Sequence, residues 1–198
     1  MTTVTTAFIL CGALAREALD IIGRHGWQVD VYGIPAIDHM VPDRIAPDVE
    51  RKLRAIRAQY DRVLVIFGDC GSRGALDGLL AREGLERIEG PHCYEMYGGA
   101  LFQELMDEEP GTFFLTDFLV RAFRGTIWRG LGLDRYPQLR DEYFRNYRRL
   151  VFLTQSGAAD LLERAEMVAA ALGLPLDVRH TGYGPLEERL RAWMERDR

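Results

Sequence analysis

The sequence has no long hydrophobic run and few cysteines, and each absence excludes a class of protein. No stretch approaches the roughly 20 consecutive apolar residues that a membrane-spanning helix needs. The first residues lack the basic segment and small-residue cleavage site of a secretory signal. Three cysteines among 198 residues are an odd number and too few for a secreted disulfide scaffold. We therefore expect a cytoplasmic protein with reduced thiols and no membrane partner.

The sequence also lacks the usual signatures of nucleotide and nucleic-acid binding. The formal net charge is −5, with 28% charged residues and no long block of one sign. Nucleic-acid binders instead concentrate Lys and Arg on one face. The stretch GDCGSRG at residues 68–74 is rich in glycine but lacks the Lys-Ser/Thr of a phosphate-binding loop. The absences disfavour a nucleic-acid partner, and we expect a small-molecule substrate.

What the sequence does contain is a set of apolar runs that end in small polar turns. The runs VTTAFIL at 4–10, RVLVIF at 62–67 and LVFL at 150–153 end in LCGA, GDCGS and TQSGA. A helix pattern follows each turn, and a weaker strand then closes the unit on a second turn. Strands that alternate with helices predict an α/β fold with a mainly parallel sheet. We expect three degenerate βαβ-like units with helices on both faces.

The length and apolar content fit a single domain. Hydrophobic residues make up 47% of the chain, enough to bury a core, so we predict one α/β domain over residues 1–198. An aromatic-rich segment at 96–147 separates the second and third units, and we predict that it is a helical insertion or subdomain. Within it, EEPGTFFLTDFLVR at 108–121 is typical of a turn followed by an apolar helix.

The three cysteines occupy turns that this fold would bring to one edge of the sheet. Cys11 and Cys70 each lie between a strand and a helix, and Cys93 is expected at the end of a strand. Ligands of open α/β sheets bind beyond the carboxyl ends of the strands, where helix N-termini favour a thiolate. We therefore predict a shared metal site, although no C-x-x-C pair exists. The alternative is that each cysteine is a small buried hydrophobe.

Two cofactors suit three thiolates. Zn²⁺ with an open fourth position would activate a substrate thiol or water. A [4Fe–4S] cluster would leave one iron free to bind substrate in a lyase- or desulfurase-like reaction. His92 and His180 are candidates for a further ligand or for a residue that orients the ligands. The sequence gives no partner for His25 or His39, which we expect at the surface.

Polar residues near the same turns complete the candidate site. Asp69 and Glu95 are candidate acid–base groups, because carboxylates near a metal orient ligands and move protons. Asp69 has an alternative role as a helix cap. The candidate substrate-binding residues share a position close to a turn or helix start, and they are Tyr94, Thr116, Asp117 and Tyr183.

Six motifs together resemble those of a family of bacterial and archaeal proteins known as domain of unknown function 1638. They are CGALA, GDCG, GPHCYE, EEPGTFFLTDFLVR, YFRNYRR and TGYG, and the resemblance runs from about Ala7 to the final helix. Members are often encoded near corrinoid-dependent methyltransferases. The resemblance thus implies a role in methyl-group or one-carbon metabolism, with a corrinoid protein or methyltransferase as partner. Its motif residues here include Cys11, Asp69, Cys70, His92, Cys93, Tyr94, Glu95, Thr116, Asp117 and Tyr183.

A looser similarity is to quinolinate synthase, which gathers one cysteine from each of three α/β units around a [4Fe–4S] cluster. Here the third unit carries Ser156 instead, and the second carries two cysteines. Three functions therefore stay open. The first is a zinc-dependent enzyme, such as a transferase, or an accessory factor, and the second is a cluster lyase. The third is a metal-free module that docks on a methyltransferase or corrinoid protein.

Overall fold

The computed structural model describes residues 5–196, and its strands form two parallel sheets. The first sheet has the order β2-β1-β3-β4, with β1 at Thr6–Cys11, β2 at Asp30–Ile34, β3 at Arg62–Ile66 and β4 at Glu86–Arg87. The second has the order β5-β6-β7, with β5 at Thr112–Thr116, β6 at Arg149–Thr154 and β7 at Leu176–His180. The predicted α/β fold with parallel strands is confirmed, and its strands are divided between two sheets.

Helices follow or precede nearly every strand. They are α1 (Ala15–His25), α2 (Ile45–Ile56), α3 (Ala75–Glu83), α4 (Cys93–Gly98), α5 (Ala100–Glu108), α6 (Asp117–Phe123), α7 (Leu139–Phe144), α8 (Ala159–Leu172) and α9 (Gly184–Glu195). A π-helix at Arg124–Trp128 continues α6, and short 3₁₀ turns include Ala36–Met40 after β2. Within residues 5–196, no helix is long and apolar enough to cross a membrane.

The chain divides into two compact units. The first contains the described residues 5–93 and 187–196, and the second contains Tyr94–Leu186. In the first unit β1 is central, and all six of its residues are buried. It pairs in parallel with β2 and β3, so that Cys11 lies opposite Ile34. A strand covered on both faces must be apolar throughout, which explains why the sequence identifies β1 and β3 so clearly.

The second unit is organised around β6. Leu150 and Phe152 belong to one hydrophobic cluster, whereas Val151 and Leu153 belong to another. Successive side chains of a strand point to opposite faces, so the two clusters cover the two faces of this sheet. The larger cluster includes Leu161 and further residues of α8.

The aromatic-rich segment at 96–147 contains helices and also strand β5, which sequence analysis placed within a turn and helix. The residues TFFLT form β5, and α6 begins only at Asp117. Thr and Phe are favoured in strands because their side chains pack well on a pleated surface. The local sequence of this segment is compatible with a helix or a strand, and the pairing of β5 with β6 makes it a strand.

Candidate metal site

The carboxyl edge of the first sheet carries one potential metal ligand after each strand. Cys11 is the last residue of β1, and His39 lies in the 3₁₀ turn after β2. Cys70 follows β3, and Cys93 follows β4 and begins α4. All four lie in the first unit. Because the strands are parallel, their carboxyl ends face the same edge, as expected for a ligand site in an α/β fold.

Cys11 is a buried thiol with a defined orientation. Its side chain is 3% exposed, and its sulfur accepts a hydrogen bond of 3.3 Å from the Ala13 amide. Burial is the largest cause that raises the pKa of the Cys11 thiol to about 12, and the nearby Cys70 contributes in the same direction. The group is therefore a neutral thiol at neutral pH, since desolvation disfavours the thiolate.

His39 points its Nε2 atom at Cys11. The Nδ1 atom lies 2.9 Å from the carbonyl oxygen of Ala36, and because a carbonyl only accepts, Nδ1 carries the proton. The ring stacks on Phe67 with centroids 5.6 Å apart. Nε2 is 3.9 Å from Cys11 Sγ, and burial lowers the pKa of His39. The histidine is thus a neutral imidazole, and its Nε2 lone pair accepts a hydrogen bond from the Cys11 thiol.

The expected surface position of His39 is wrong, because the turn after β2 folds its ring inward against Phe67. A signal for this was present in the sequence. His39 belongs to the turn PAIDHM, which follows a strand, as the turns of the cysteines do. Ligands bind beyond the carboxyl ends of parallel strands, and the same reasoning applied to β2 identifies His39 as a candidate ligand. His25 instead stacks on Trp27, with Nε2 3.0 Å from Glu187.

Cys70 lies in a tight turn with unusual backbone angles. Its φ is +47°, and Arg73 also has a positive φ of +55°, a left-handed conformation that few residues other than glycine adopt. The Cys70 amide donates a 2.9 Å hydrogen bond to the carbonyl of Pro91. A Cβ atom on Gly68 would lie 2.7 Å from His92 Cα. The turn after β3 therefore packs directly against the segment that leads to Cys93.

Asp69 holds this turn together. Its carboxylate accepts hydrogen bonds from the amides of Gly74 at 2.9 Å and Gly71 at 3.2 Å, and from Ser72 Oγ at 2.8 Å. The Gly74 amide, followed by the Ser72 hydroxyl, lowers the pKa of Asp69. These contacts close the loop before α3 and do not cap the helix, because the cap residue is Gly74 and no side chain caps this end. An acid–base role for Asp69 stays a prediction.

Cys70 and Cys93 are half-buried, and none of the three cysteines forms a disulfide. Burial raises the pKa of the Cys70 thiol to about 11. Among residues 5–196, no group of three or more His, Cys, Asp or Glu side chains is arranged to hold a metal ion. The structure thus brings together the four backbone segments and the Cys11–His39 pair, and Cys70 and Cys93 lie on adjoining loops.

A buried acid that sequence analysis missed lies beside His39. Asp38 is buried, and it shares a side-chain hydrogen bond with Asp48. Burial, followed by the contact with Asp48, raises the pKa of Asp38. A side-chain carboxyl group whose pKa is raised in this way is a candidate proton carrier. Asp38 lies close to the edge of the sheet where the strands end.

His92 is half-buried next to Cys93 in the first unit, and its role as a further ligand or orienting residue stays a prediction. The other predicted site residues belong to the second unit. Asp117 is 1% exposed, and both of its oxygens are used by the loop after β6. They accept hydrogen bonds from Thr154 Oγ1 at 2.9 Å, from the Gln155 amide at 3.1 Å and from the Ser156 amide at 3.0 Å. Thr116 is also buried, and its hydroxyl accepts from the Leu119 amide at the start of α6. Substrate binding by this pair stays a prediction.

The other four candidates differ in exposure. Tyr94 is half-buried and its ring lies 5.7 Å from that of Phe114. Glu95 and Tyr183 are half-buried, and His180 is exposed beside Gly157. Their proposed roles as acid–base group, substrate contacts and ligand stay predictions.

Comparison with known proteins identifies the family. Residues 34–190, more than half of the chain, match the family model described as Protein of unknown function (DUF1638). The chain belongs to this family. The DUF1638 match includes His39, Cys70 and Cys93 and begins after Cys11. No curated protein and no solved structure matches the chain, so the site's chemistry is argued from its own residues.

Proposed function

We propose that this DUF1638 protein binds a zinc ion at the carboxyl edge of its first sheet. The ligands are the thiolates of Cys11, Cys70 and Cys93, together with Nε2 of His39. A site with these ligands would make the protein a zinc enzyme or accessory factor that activates a small-molecule thiol or water. The family resemblance suggests methyl-group metabolism as the setting.

The observation that carries the proposal is the contact between His39 and Cys11. In a tetrahedral zinc site, bonds of about 2.3 Å to sulfur and about 2.0–2.1 Å to nitrogen place the two atoms roughly 3.6 Å apart. The 3.9 Å between Cys11 Sγ and His39 Nε2 is close to that spacing. The hydrogen bond from Nδ1 to the Ala36 carbonyl is the usual support of a metal-binding histidine.

The loops of Cys70 and Cys93 supply the other two ligands in this proposal. The Cys70 turn and the segment before Cys93 are joined by the hydrogen bond to Pro91, so the two loops are in direct contact. Left-handed backbone at a non-glycine residue such as Cys70 is concentrated at ligand sites. Closing the half-buried thiols onto the Cys11–His39 pair completes a Cys₃His set.

His39 is the ligand that decides between a closed and an open site. Four protein ligands are typical of structural zinc, whereas a catalytic site keeps one position for substrate. His39 is the one neutral ligand of the four, so its displacement leaves three thiolates and an open position. The chemistry that zinc supplies there is Lewis-acid activation of a bound thiol or water.

The test is metal analysis of protein purified without oxygen, followed by titration of the metal-free form. We expect a colourless protein with about one zinc per chain. Zinc affinity should fall by at least ~10-fold in Cys70→Ser and Cys93→Ser, as it does when ligands or their supports are lost. His39→Asn should keep the metal more weakly and change the visible spectrum of the cobalt-substituted protein, whereas the control His25→Asn should change neither.

Two results would reject the proposal. A brown protein containing iron and labile sulfide would replace zinc with the [4Fe–4S] alternative. Metal-free protein that neither binds zinc nor gains thermal stability from it would leave the cysteines as structural residues.

A further inference from the structure

The second unit contains a cavity of about 260 Å³ between α6, the π-helix and α8. Its lining is unusual in charge. Three arginines, Arg121, Arg124 and Arg164, line it, and its described lining includes no acidic residue. The rest is apolar, including Phe123, Trp128 and Met167. Small-molecule sites have this composition, an apolar surface with a few converging polar groups.

The positive charge of the cavity is only partly balanced. Arg121 Nη2 is 3.7 Å from an Asp117 oxygen, and Arg164 Nε is 4.0 Å from Asp160, so both ion pairs are long. Within the described part of the chain, Arg124 makes no ion pair, and the buried Nη1 atom of Arg121 has no hydrogen-bond partner. The cavity therefore presents guanidinium charge that close carboxylates only partly neutralise, and an anionic ligand would complete the neutralisation.

The backbone beside the cavity is also irregular. Arg124–Trp128 form a π-helix, a rare structure that is found frequently at functional sites. This segment places Arg124 and Trp128 in the same wall. Met167 is 68% exposed at the cavity, although a methionine is normally buried. The cavity thus combines an exposed apolar side chain with arginines whose charge is incompletely neutralised.

We propose that this cavity binds a small organic anion. Its carboxylate or phosphate group is held by Arg124 and Arg164, and its apolar body packs on Phe123, Trp128 and Met167. Guanidinium groups match both anions because their planar N–H groups form paired hydrogen bonds. The inference does not depend on the metal site, since every residue in it belongs to the second unit.

Calorimetric titration of the full chain with three naphthalene compounds tests the proposal. 1-Naphthyl phosphate and 1-naphthoate carry the two candidate anions, and 1-naphthalenemethanol is the neutral analogue. We expect one anion per chain, at least ~10-fold weaker binding of the alcohol, and weaker anion binding as salt rises. The tighter of the two anions identifies the acidic group that the cavity prefers.

Two variants locate the binding. Arg124→Gln with Arg164→Gln should weaken anion binding by ~10- to 100-fold, the usual effect of losing charge-assisted hydrogen bonds, and should leave the alcohol unchanged. Ala171→Phe should block all three ligands by filling the cavity. Arg51→Gln is the control, because that side chain is 74% exposed on α2 of the first unit. Failure of both anions to bind, or equal binding by the double variant, overturns the proposal.

Discussion

At the scale of single residues, Asp117 shows how one buried carboxylate joins two strand ends. It lies where β5 passes into α6, and its hydrogen-bond donors come from Thr154, the last residue of β6, and from the loop that follows. Its own amide donates to Gln155 Oε1 at 2.9 Å. Buried polar networks of this kind stabilise a fold when every member is paired, and they are sensitive to the loss of one acceptor.

Replacing Asp117 with Asn should therefore destabilise the protein by about 3 kcal/mol. The amide nitrogen of Asn donates, so the Ser156 amide or hydroxyl that now donates to Asp117 Oδ2 loses its acceptor in a buried place. Urea unfolding measures the change. Asp141→Asn is the control, because Asp141 is 77% exposed and surface changes cost little. A loss below about 1 kcal/mol would contradict a structural role for Asp117.

At the scale of elements, the start of α9 depends on a glycine. Gly184 has a φ of +49°, and a Cβ atom there would lie only 2.0 Å from the carbonyl oxygen of Tyr97. Gly182, two residues earlier, has a similar φ of +55° with open space around its Cβ position. Both glycines of the motif TGYG thus adopt a left-handed backbone conformation, but only Gly184 also lacks room for a Cβ atom.

The pair allows a matched comparison. Gly182→Ala should lower stability by about 1–2 kcal/mol, the cost of a left-handed alanine. Gly184→Ala should cost that amount plus a further ~2 kcal/mol or more, because its methyl group overlaps the Tyr97 backbone. Thermal unfolding of both variants measures the difference. Equal losses would show that α9 can move away from Tyr97 without cost.

At the scale of the whole molecule, each unit has its own sheet with a fully paired central strand. β1 pairs on both sides and all its residues are buried, and β6 in the second unit pairs on both sides with every residue except Arg149 buried. The edge strand β7 leaves Val178, Arg179 and His180 exposed. Stability is not uniform within a protein, and the last amides to exchange with solvent mark its most stable parts.

Hydrogen exchange should therefore show two separate sets of slow amides. We expect one set in β1 and β3 and the other in β6, with β7 exchanging faster as the internal control. Mass spectrometry of peptic fragments resolves these segments. Slow amides confined to one sheet would mean that the other unit opens on its own at low cost.

Sequence and tertiary structure each supply a different part of the proposed metal site. The cysteine turns are predicted as parts of one site from their position at strand ends, and the three strands concerned, β1, β3 and β4, are consecutive in the first sheet. His39 was missed, although it lies on the same edge. Its contact joins residues 28 positions apart, and the pairing of Cys11 with Ile34 across β1 and β2 creates it.

The sequence by itself determined the α/β class and the places where strands end in polar turns. The reason is that a strand buried on both faces of a sheet is a continuous apolar run, which is visible in the sequence. Only the tertiary structure decided that β5 is a strand, that the seven strands of residues 5–196 form two sheets, and which side chains meet at their edges. Strand partners and side-chain distances depend on segments far apart in the chain, and no local pattern records them.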